Sequence, residues 1–249
     1  MKTIRFQSAS LPWRRFLSHR QSHLVEWMDR PDCDKQMLHN TYRYFPVVNR
    51  LISRWNSVYL QQIRPCLTHG TRYRLLDVGC GGGDITKNIW VRAKKEGFLL
   101  DVTGIDPDPR AIEYARAMQP GDSSDFRFLK TDTSKLRTEG NTYDFVICNH
   151  VLHHLSDDGV KGFLDDLSAL ALRRIICSDI ERSTVGYALF SVFTLPFFPK
   201  SFIRADGLIS IKKSFRPHEL RDLLPDEWRV IRQFPFRLLA VLDKTFQAK

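Results

Sequence analysis

Cysteine is scarce in this chain, and its positions form no recognisable metal or disulfide pattern. Five residues are scattered without any C-x-x-C pair, namely Cys33, Cys66, Cys80, Cys148 and Cys177. An odd number without metal-binding spacing argues against a disulfide framework and a structural zinc site, and it predicts a reduced, cytoplasmic protein. The first residues, 1–7, also lack the apolar core of a signal peptide.

Acidic side chains are the minority charge, 28 against 38 Lys and Arg, and the formal net charge is +10. A basic surface can attract nucleic acid or anionic membranes. The basic residues are spread along the chain, however, and are not concentrated in one run, so we expect no nucleic-acid partner. Internal repeats and low-complexity segments are also absent, and a length of 249 residues suits one large α/β domain with additions.

The chain is organised around one glycine-rich stretch, L-L-D-V-G-C-G-G-G-D at 75–84. Apolar residues lead into the glycines and a helical pattern follows from Ile85, which predicts a strand, a tight turn and a helix. Glycines suit a turn of unusual φ and ψ that lets a ligand approach the backbone closely. A second predicted strand, over 99–105, ends in Asp106.

Strands and helices alternate along most of the chain. Strands are predicted at 72–78, 101–105, 126–129, 143–148 and 174–180, with a closing pair at 228–234 and 236–242. Helical crossovers between successive strands predict a Rossmann-like α/β fold, a seven-stranded, mostly parallel sheet with helices on both faces.

Ligands of such sheets bind beyond the carboxyl ends of the strands. Five polar or turn residues fall at these ends, namely Gly79, Asp106, Asp132, Asn149 and Asp179. Their convergence on one edge is a stronger argument for a ligand site than any one motif.

The glycine turn resembles motif I of the class I S-adenosylmethionine (SAM)-dependent methyltransferases. A phosphate loop would place a Lys-Ser/Thr pair after its glycines, and Asp84 to Thr86 supply none. Asp84 would also repel a pyrophosphate at the N-terminus of the helix. SAM carries a sulfonium and an ammonium and no phosphate, so nearby carboxylates favour its binding.

The resemblance implies roles for the residues of the first two strands. Asp77 and the backbone of Gly79 and Gly81 would face the methionine part of SAM. Asp106, followed by Pro107, would accept hydrogen bonds from both ribose hydroxyls, as a carboxylate can.

The resemblance also implies roles for residues after the third and fourth strands. Asp132, with Thr133 beside it, would accept a hydrogen bond from the adenine amino group. Asn149 and His150 would line the cofactor near the sulfonium.

The run N-H-V-L-H-H-L at 149–155 resembles the fourth motif of small-molecule methyltransferases, including ubiquinone/menaquinone C-methyltransferases. An imidazole with a pKa near 6.5 can take a proton from a phenol or an enol at neutral pH. His154 and His153 are therefore the candidate bases, one of the two being structural. Asp179 could orient a histidine or serve as a second base. No spaced set of His and carboxylate residues predicts a metal site.

The segments outside the core are expected to form an N-terminal helical arm or lid over 1–66, a SAM-binding core over 67–249 and an insertion within it over 183–214. Residues 1–24 are basic and aromatic, and the periodicity from Lys35 to Ile63 predicts two helices separated at Pro46.

The most apolar stretch of the chain, 185–203, is too short and too broken by Pro196 and Pro199 to span a bilayer. Three interpretations of it remain: a helical cap over the active-site mouth, a helix packed on the core, or a surface that docks on a membrane.

Two classes of methyltransferase are disfavoured by the residues after the fourth strand. The Asn/Asp-Pro-Pro-Tyr/Phe run of enzymes that methylate nucleic-acid bases is replaced by N-H-V-L at 149–152, and the paired glutamates of protein arginine methyltransferases are absent. W-M-D-R-P at 27–31, the glycine turn, the H-H-L run and F-P-F-R-L-L at 234–239 look similar to bacterial methyltransferases encoded beside type III polyketide synthases.

That similarity, over residues 26–242, implies an acceptor from secondary metabolism, a phenolic or resorcinolic polyketide methylated on a hydroxyl. C-methylation of a quinone or aromatic ring remains open because it can use the same base. From a different class, a nucleic-acid-binding methyltransferase or SAM-binding regulator also remains open. The sequence assigns no oligomeric state.

Overall fold

The structure, a computed structural model, describes residues 17–119, 121 and 123–244. The first sixteen residues of the predicted basic arm lie outside this part of the chain.

A seven-stranded sheet forms the centre of the molecule, as the sequence predicts. Its strands are β1 Arg72–Val78, β2 Leu99–Asp106, β3 Phe126–Lys130, β4 Tyr143–Asn149, β5 Ala171–Ile180, β6 Arg229–Gln233 and β7 Arg237–Asp243. They lie in the order β3-β2-β1-β4-β5-β7-β6. All neighbours pair in parallel except β7, which is antiparallel to β5 and to β6. The first four crossovers bring the carboxyl ends of β1 to β5 to one edge.

The helices of the described residues are α1 Lys35–Leu51, α2 Trp55–Val58, α3 Asp84–Lys95, α4 Pro109–Ala117, α5 Thr133–Thr138, α6 Asp157–Leu170, α7 Thr184–Phe193, α8 Ile203–Lys213 and α9 Pro217–Leu223. A π turn at Tyr59–Ile63 and 3₁₀ turns at Arg64–Cys66 and Leu152–His154 complete them. Across the described part of the chain, no helix combines the length and apolar character needed to cross a bilayer.

Helices cover both faces of the sheet, because successive strand residues point to opposite faces. Leu75 and Phe145 pack in one apolar cluster with Ile89 of α3. Their neighbours Leu76 and Val146 pack in a second cluster with residues of α6 and α9. Strands buried on both sides explain the near-continuous apolar runs of β1, β4 and β5.

The predicted break at Pro46 is wrong. Helix α1 runs through Pro46, and the chain turns only near Arg54, which has a left-handed φ of +50°. Proline removes one helical hydrogen bond, but Leu38 and Tyr42 before it and Asn49 after it are buried. Packing on both sides of Pro46 therefore holds the helix in one piece.

The apolar insertion forms two helices, α7 and α8, joined by a loop that contains Pro196 and Pro199. The sequence predicts helix only up to residue 203, so α8 extends the helical part by ten residues, to Lys213. The short helix α5 was not predicted; Asp132 begins it by accepting a hydrogen bond from Lys135 N.

Candidate functional site

A cavity of about 580 Å³ opens at the carboxyl edge of the sheet. Its polar end contains residues that the sequence predicts to bind cofactor, namely Asp77, Gly79, Gly81, Asp106, Pro107, Asn149 and His150. The remaining wall is mostly apolar and comes from α1, α7 and α8, and includes Phe45, Val48, Ile52, Leu189, Phe190, Phe193 and Ile203. The cavity thus joins a polar compartment to an apolar one.

The glycine turn brings backbone to the cavity wall where a side chain would not fit. Gly79 has a φ of +67°, and a Cβ there would lie 2.7 Å from Val151 Cγ2. Gly83, with a φ of +76°, begins α3, and its Cβ would lie 2.3 Å from the Phe128 ring. The Cys80 amide donates to Ile105 O at 2.9 Å, which fixes the turn against β2.

Three carboxylates meet at the polar end of the cavity. Asp77 accepts a hydrogen bond from Thr86 Oγ1 at 2.6 Å, and Asp84 accepts from Asn49 Nδ2 at 3.0 Å. Asp106 accepts from the amides of Gly81 and Asp108, each at 2.9 Å.

Burial raises the pKa values of all three carboxyl groups. The pKa of Asp77 rises to about 7, with Asp84 and Asp106 adding to the effect. The pKa of Asp84 rises to about 6, and the pKa of Asp106 is also raised. Among the described residues, the hydrogen-bond partners of these carboxylates are neutral groups, and none is a Lys or Arg that would compensate their charge. A ligand with positive charge would do so, and the ammonium and sulfonium of SAM meet this requirement.

His153 is enclosed between two carboxylates. Its side chain is 1% exposed, with Nδ1 2.6 Å from Asp179 Oδ1 and Nε2 3.2 Å from Glu26 Oε1. Burial opposes charge on the ring, but Asp179 and Glu26 outweigh it and raise the pKa of His153 to about 9. Burial would likewise raise the pKa values of Glu26 and Asp179, but His153 holds both well below their usual range. His153 is therefore an imidazolium at neutral pH.

His154 lies on the cavity wall, and its side chain is 32% exposed. Its Nδ1 lies 3.1 Å from Lys213 Nζ and 3.3 Å from Asp29 Oδ2, and its Nε2 lies 3.7 Å from Glu26 Oε1. Nδ1 thus has both a donor and an acceptor within reach, so either tautomer of the neutral ring can be hydrogen-bonded there.

Lys213 is buried and donates to Glu26 Oε1 at 3.2 Å. Glu26, His153 and His154 place ligand-type atoms close together, but this ammonium already lies against Glu26 and His154. A metal ion at this point would face an adjacent positive charge.

Asn149 and His150 are held by a buried arginine at the start of β7. Arg237 Nη2 donates to Asn149 Oδ1 at 2.6 Å and to Ser178 Oγ at 2.8 Å, and Nη1 lies 3.1 Å from His150 Nε2. Burial and the charge of Arg237 hold the pKa of His150 well below its usual value. Burial also lowers the pKa of Arg237 to about 10, although the guanidinium stays charged at neutral pH.

Three predicted residues lie away from the described cavity wall. Asp132 caps α5, and its carboxylate accepts from Lys135 N and Ser134 Oγ. Thr133 Oγ1 lies 3.0 Å from Asp166 Oδ2. Asp179 does not line the cavity but contacts two residues that do, His153 and Ile180. The adenine role of Asp132 and Thr133 stays a prediction.

Sequence reasoning missed four residues of the site: Glu26, Asn49, Lys213 and Arg237. Arg237 carried a usable signal, because it is the one charge in the apolar run of the last predicted strand. Glu26, Asn49 and Lys213 lie in segments whose pattern gave no reason to bring them to the sheet edge.

Comparisons with known proteins find methyltransferases similar to this chain. A family model described as a methyltransferase domain matches residues 75–172. The ubiquinone biosynthesis O-methyltransferase of Cereibacter sphaeroides (strain ATCC 17025 / ATH 2.4.3) is 30% identical over 158 residues, 61% of this chain and 58% of that protein. The enzyme of the same name from Rickettsia akari (strain Hartford) is 28% identical over 190 residues, 71% of this chain and 68% of that protein.

The match with the Cereibacter sphaeroides enzyme spans 58% of that protein, which is less than two thirds of its length. Among solved structures, the plantazolicin methyltransferase BpumL in complex with SAH is similar, with a TM-score of 0.62 and 19% identity. That similarity covers 88% of this chain and 92% of the other. At 19% identity, this similarity shows that the two proteins share a fold and nothing more.

Proposed function

We propose that this chain is a class I SAM-dependent methyltransferase that transfers a methyl group from SAM to a hydroxyl oxygen of an aromatic small molecule. The acceptor is a phenol or a polyketide-type resorcinol with an apolar tail. One observation carries the proposal: a single cavity joins the three-carboxylate end to an apolar compartment and has His154 on its wall.

The polar end of the cavity would hold the cofactor. Asp77 and Asp84 offer negative charge for the ammonium, and the open space beside Gly81 allows a ligand to approach the backbone closely. Asp106 keeps acceptor capacity for ribose hydroxyls beyond its two backbone hydrogen bonds, since an ionised carboxylate offers about four acceptor positions. When bound, SAM supplies a methyl group activated by its sulfonium.

The apolar compartment would hold the acceptor. Aromatic and aliphatic side chains from α1 and α7 form its wall, and such surface favours an aromatic ring and an alkyl tail over a sugar or a peptide backbone. The name of the relatives, ubiquinone biosynthesis O-methyltransferase, supports oxygen as the accepting atom. In this proposal α1 and α7 act as the lid and cap of the site.

The acceptor hydroxyl must lose its proton as its oxygen takes the methyl group, and in this proposal His154, on the cavity wall, receives that proton. His153 is unsuited because it is already protonated and buried. His150 is neutral, but its Nε2 faces the guanidinium of Arg237. The His154 ring has Asp29 at Nδ1 and Glu26 near Nε2, with the Lys213 ammonium also 3.1 Å from Nδ1.

A mass-spectrometric methylation screen tests the proposal. The protein and SAM are incubated with alkylresorcinols, catechols, hydroxyquinones and bulk tRNA. We expect one added methyl group on a phenolic oxygen, identified by fragmentation. A methyl group found on a ring carbon would show that the reaction is C-methylation and not O-methylation. Methyl incorporation only into tRNA would refute the proposed class of acceptor.

The active acceptor then tests the base. His154→Gln should lower kcat by about a hundredfold or more, within the usual contribution of a general base, and leave SAM affinity unchanged. His69→Gln is the matched control, because His69 is exposed and precedes β1 at the opposite edge of the sheet. Full activity in His154→Gln would remove His154 from the reaction.

A further inference from the structure

Apolar side chains remain exposed around the mouth of the cavity. Of the ten residues of α7, only Gly186 is buried. Phe193 lines the cavity and is still 65% exposed, and in the loop that follows, Leu195 and Phe197 are 68% and 60% exposed. A helix that is apolar around most of its circumference is normally buried, but residues 17–119, 121 and 123–244 leave most of this one uncovered.

The loop that follows α7 also contacts α1. Asn40 Nδ2 donates to Lys200 O at 2.8 Å, and the Phe202 amide donates to Thr41 Oγ1 at 2.9 Å. These bonds hold the α7–α8 loop against α1, whose last residue, Leu51, is exposed.

The turn between β6 and β7 adds a third segment. Phe234 is exposed there, next to Pro235 and Phe236 of the cavity wall. Arg54 Nη1 donates to Phe234 O at 3.4 Å, which joins this turn to the end of α1. We define the apolar rim as the exposed side chains of Leu51, Val192, Phe193, Leu195, Phe197 and Phe234.

The segments that carry the apolar rim have basic side chains and no acidic ones. Residues 35–76, 182–205 and 228–242 contain no Asp or Glu, so every charged side chain in these three ranges is Lys or Arg. Exposed Arg43 and Arg50 lie on α1, exposed Arg54 follows it, and exposed Lys200 lies in the loop after α7. Apolar surface edged by positive charge is complementary to an anionic lipid surface.

We propose that the apolar rim docks on the surface of an anionic lipid bilayer, with α7 in the interface and the cavity mouth turned toward the lipid. A symmetric contact between two copies would bring the same positive segments together, and like charges across an interface disfavour association. Docking would give an acceptor with an alkyl tail a path from lipid to the cavity. Vesicle binding is measured without turnover, so it can fail while the methylation proposal stands.

Vesicle co-sedimentation of the full chain tests the docking. Vesicles of phosphatidylcholine are compared with vesicles of an equal mixture of phosphatidylcholine and phosphatidylglycerol. We expect at least about tenfold stronger binding to the anionic vesicles, because each Lys or Arg near such a surface is worth roughly a factor of five. Added salt should weaken the binding.

Variants separate the apolar and the charged contributions. The double variant Leu195→Ser with Phe197→Ser should bind anionic vesicles at least about tenfold more weakly, because two apolar side chains no longer enter the interface. Lys200→Glu should also weaken binding to anionic vesicles and leave the apolar rim intact. Met118→Ser, a half-exposed apolar residue at the end of α4, is the control and should bind like the parent chain.

Three outcomes would overturn the proposal. One is equal binding of the parent chain and the double serine variant to anionic vesicles. Another is the absence of vesicle binding by the parent chain. The third is a dimer in solution that the double serine variant abolishes, because the apolar rim would then be an interface between copies. Circular dichroism confirms that each variant is folded.

Discussion

Replacing Asp77 with Asn should stabilise the ligand-free protein and at the same time weaken SAM binding. In the unfolded chain this carboxyl ionises at its ordinary pKa of 3.8, but in the folded chain burial raises the pKa to about 7. As the pH rises from the unfolded pKa to the folded pKa, the buried carboxyl group destabilises the folded state progressively. Above the folded pKa its full destabilisation is present. A tenfold change in proton affinity is worth about 1.4 kcal/mol, so the cost at about pH 8 is on the order of 4 kcal/mol.

Asparagine removes that cost and retains the oxygen that accepts from Thr86 Oγ1. For a domain of this size the gain corresponds to a rise in Tm on the order of 10 °C at about pH 8, and to almost no change at about pH 4. The same substitution removes a charge from the proposed ammonium site, so SAM affinity should fall by about a hundredfold or more.

Thermal unfolding at both pH values, with and without SAM, measures both effects. Asp165→Asn is the control, because Asp165 is exposed on α6 and should give no change at either pH. If Asp77→Asn is no more stable than the parent chain at about pH 8, or retains the full stabilisation by SAM, the three carboxylates do not form a cation site.

Three further results are expected. Asp106→Ala should lower SAM affinity by about a hundredfold in calorimetric titration, since two ribose hydroxyls lose a charged acceptor; unchanged affinity would contradict the ribose role. Gly83→Ala should cost about 3 kcal/mol or more in denaturant unfolding, because its φ is +76° and its Cβ would meet Phe128 at 2.3 Å; Gly140→Ala, with a φ of +70° and open space, should cost only about 1 kcal/mol. Glu26→Gln should cost about 3–5 kcal/mol, because it leaves two buried cations short of an anion, whereas the exposed Glu113→Gln should change little.

The sheet could be predicted because its pattern is local. Buried parallel strands give short apolar runs, and the polar residues that end them mark the ligand edge. Asp77, Gly79 and Asp106 therefore meet where the sequence places them.

The other half of the site could not be predicted, because it is made by packing between distant segments. Glu26 and Lys213 are 187 residues apart and meet only when α8 folds beside the N-terminal segment. The choice between His153 and His154 depends on burial, which the sequence does not show. The two histidines are adjacent in the sequence, but His153 is enclosed as an imidazolium and His154 lies on the cavity wall. The helix through Pro46 has the same origin, since tertiary packing outweighs the local rule.

The chain of contacts from Asp179 through His153 and Glu26 to Lys213 ties four stretches of sequence into one electrostatic unit. Its two anions and two cations balance, so no member can be exchanged alone without leaving a buried charge unmatched. A fragment that begins at residue 67 would lack Glu26 and leave Lys213 without its carboxylate. Grafting a new acceptor compartment onto this core would therefore require the N-terminal segment and α8 to be transferred together.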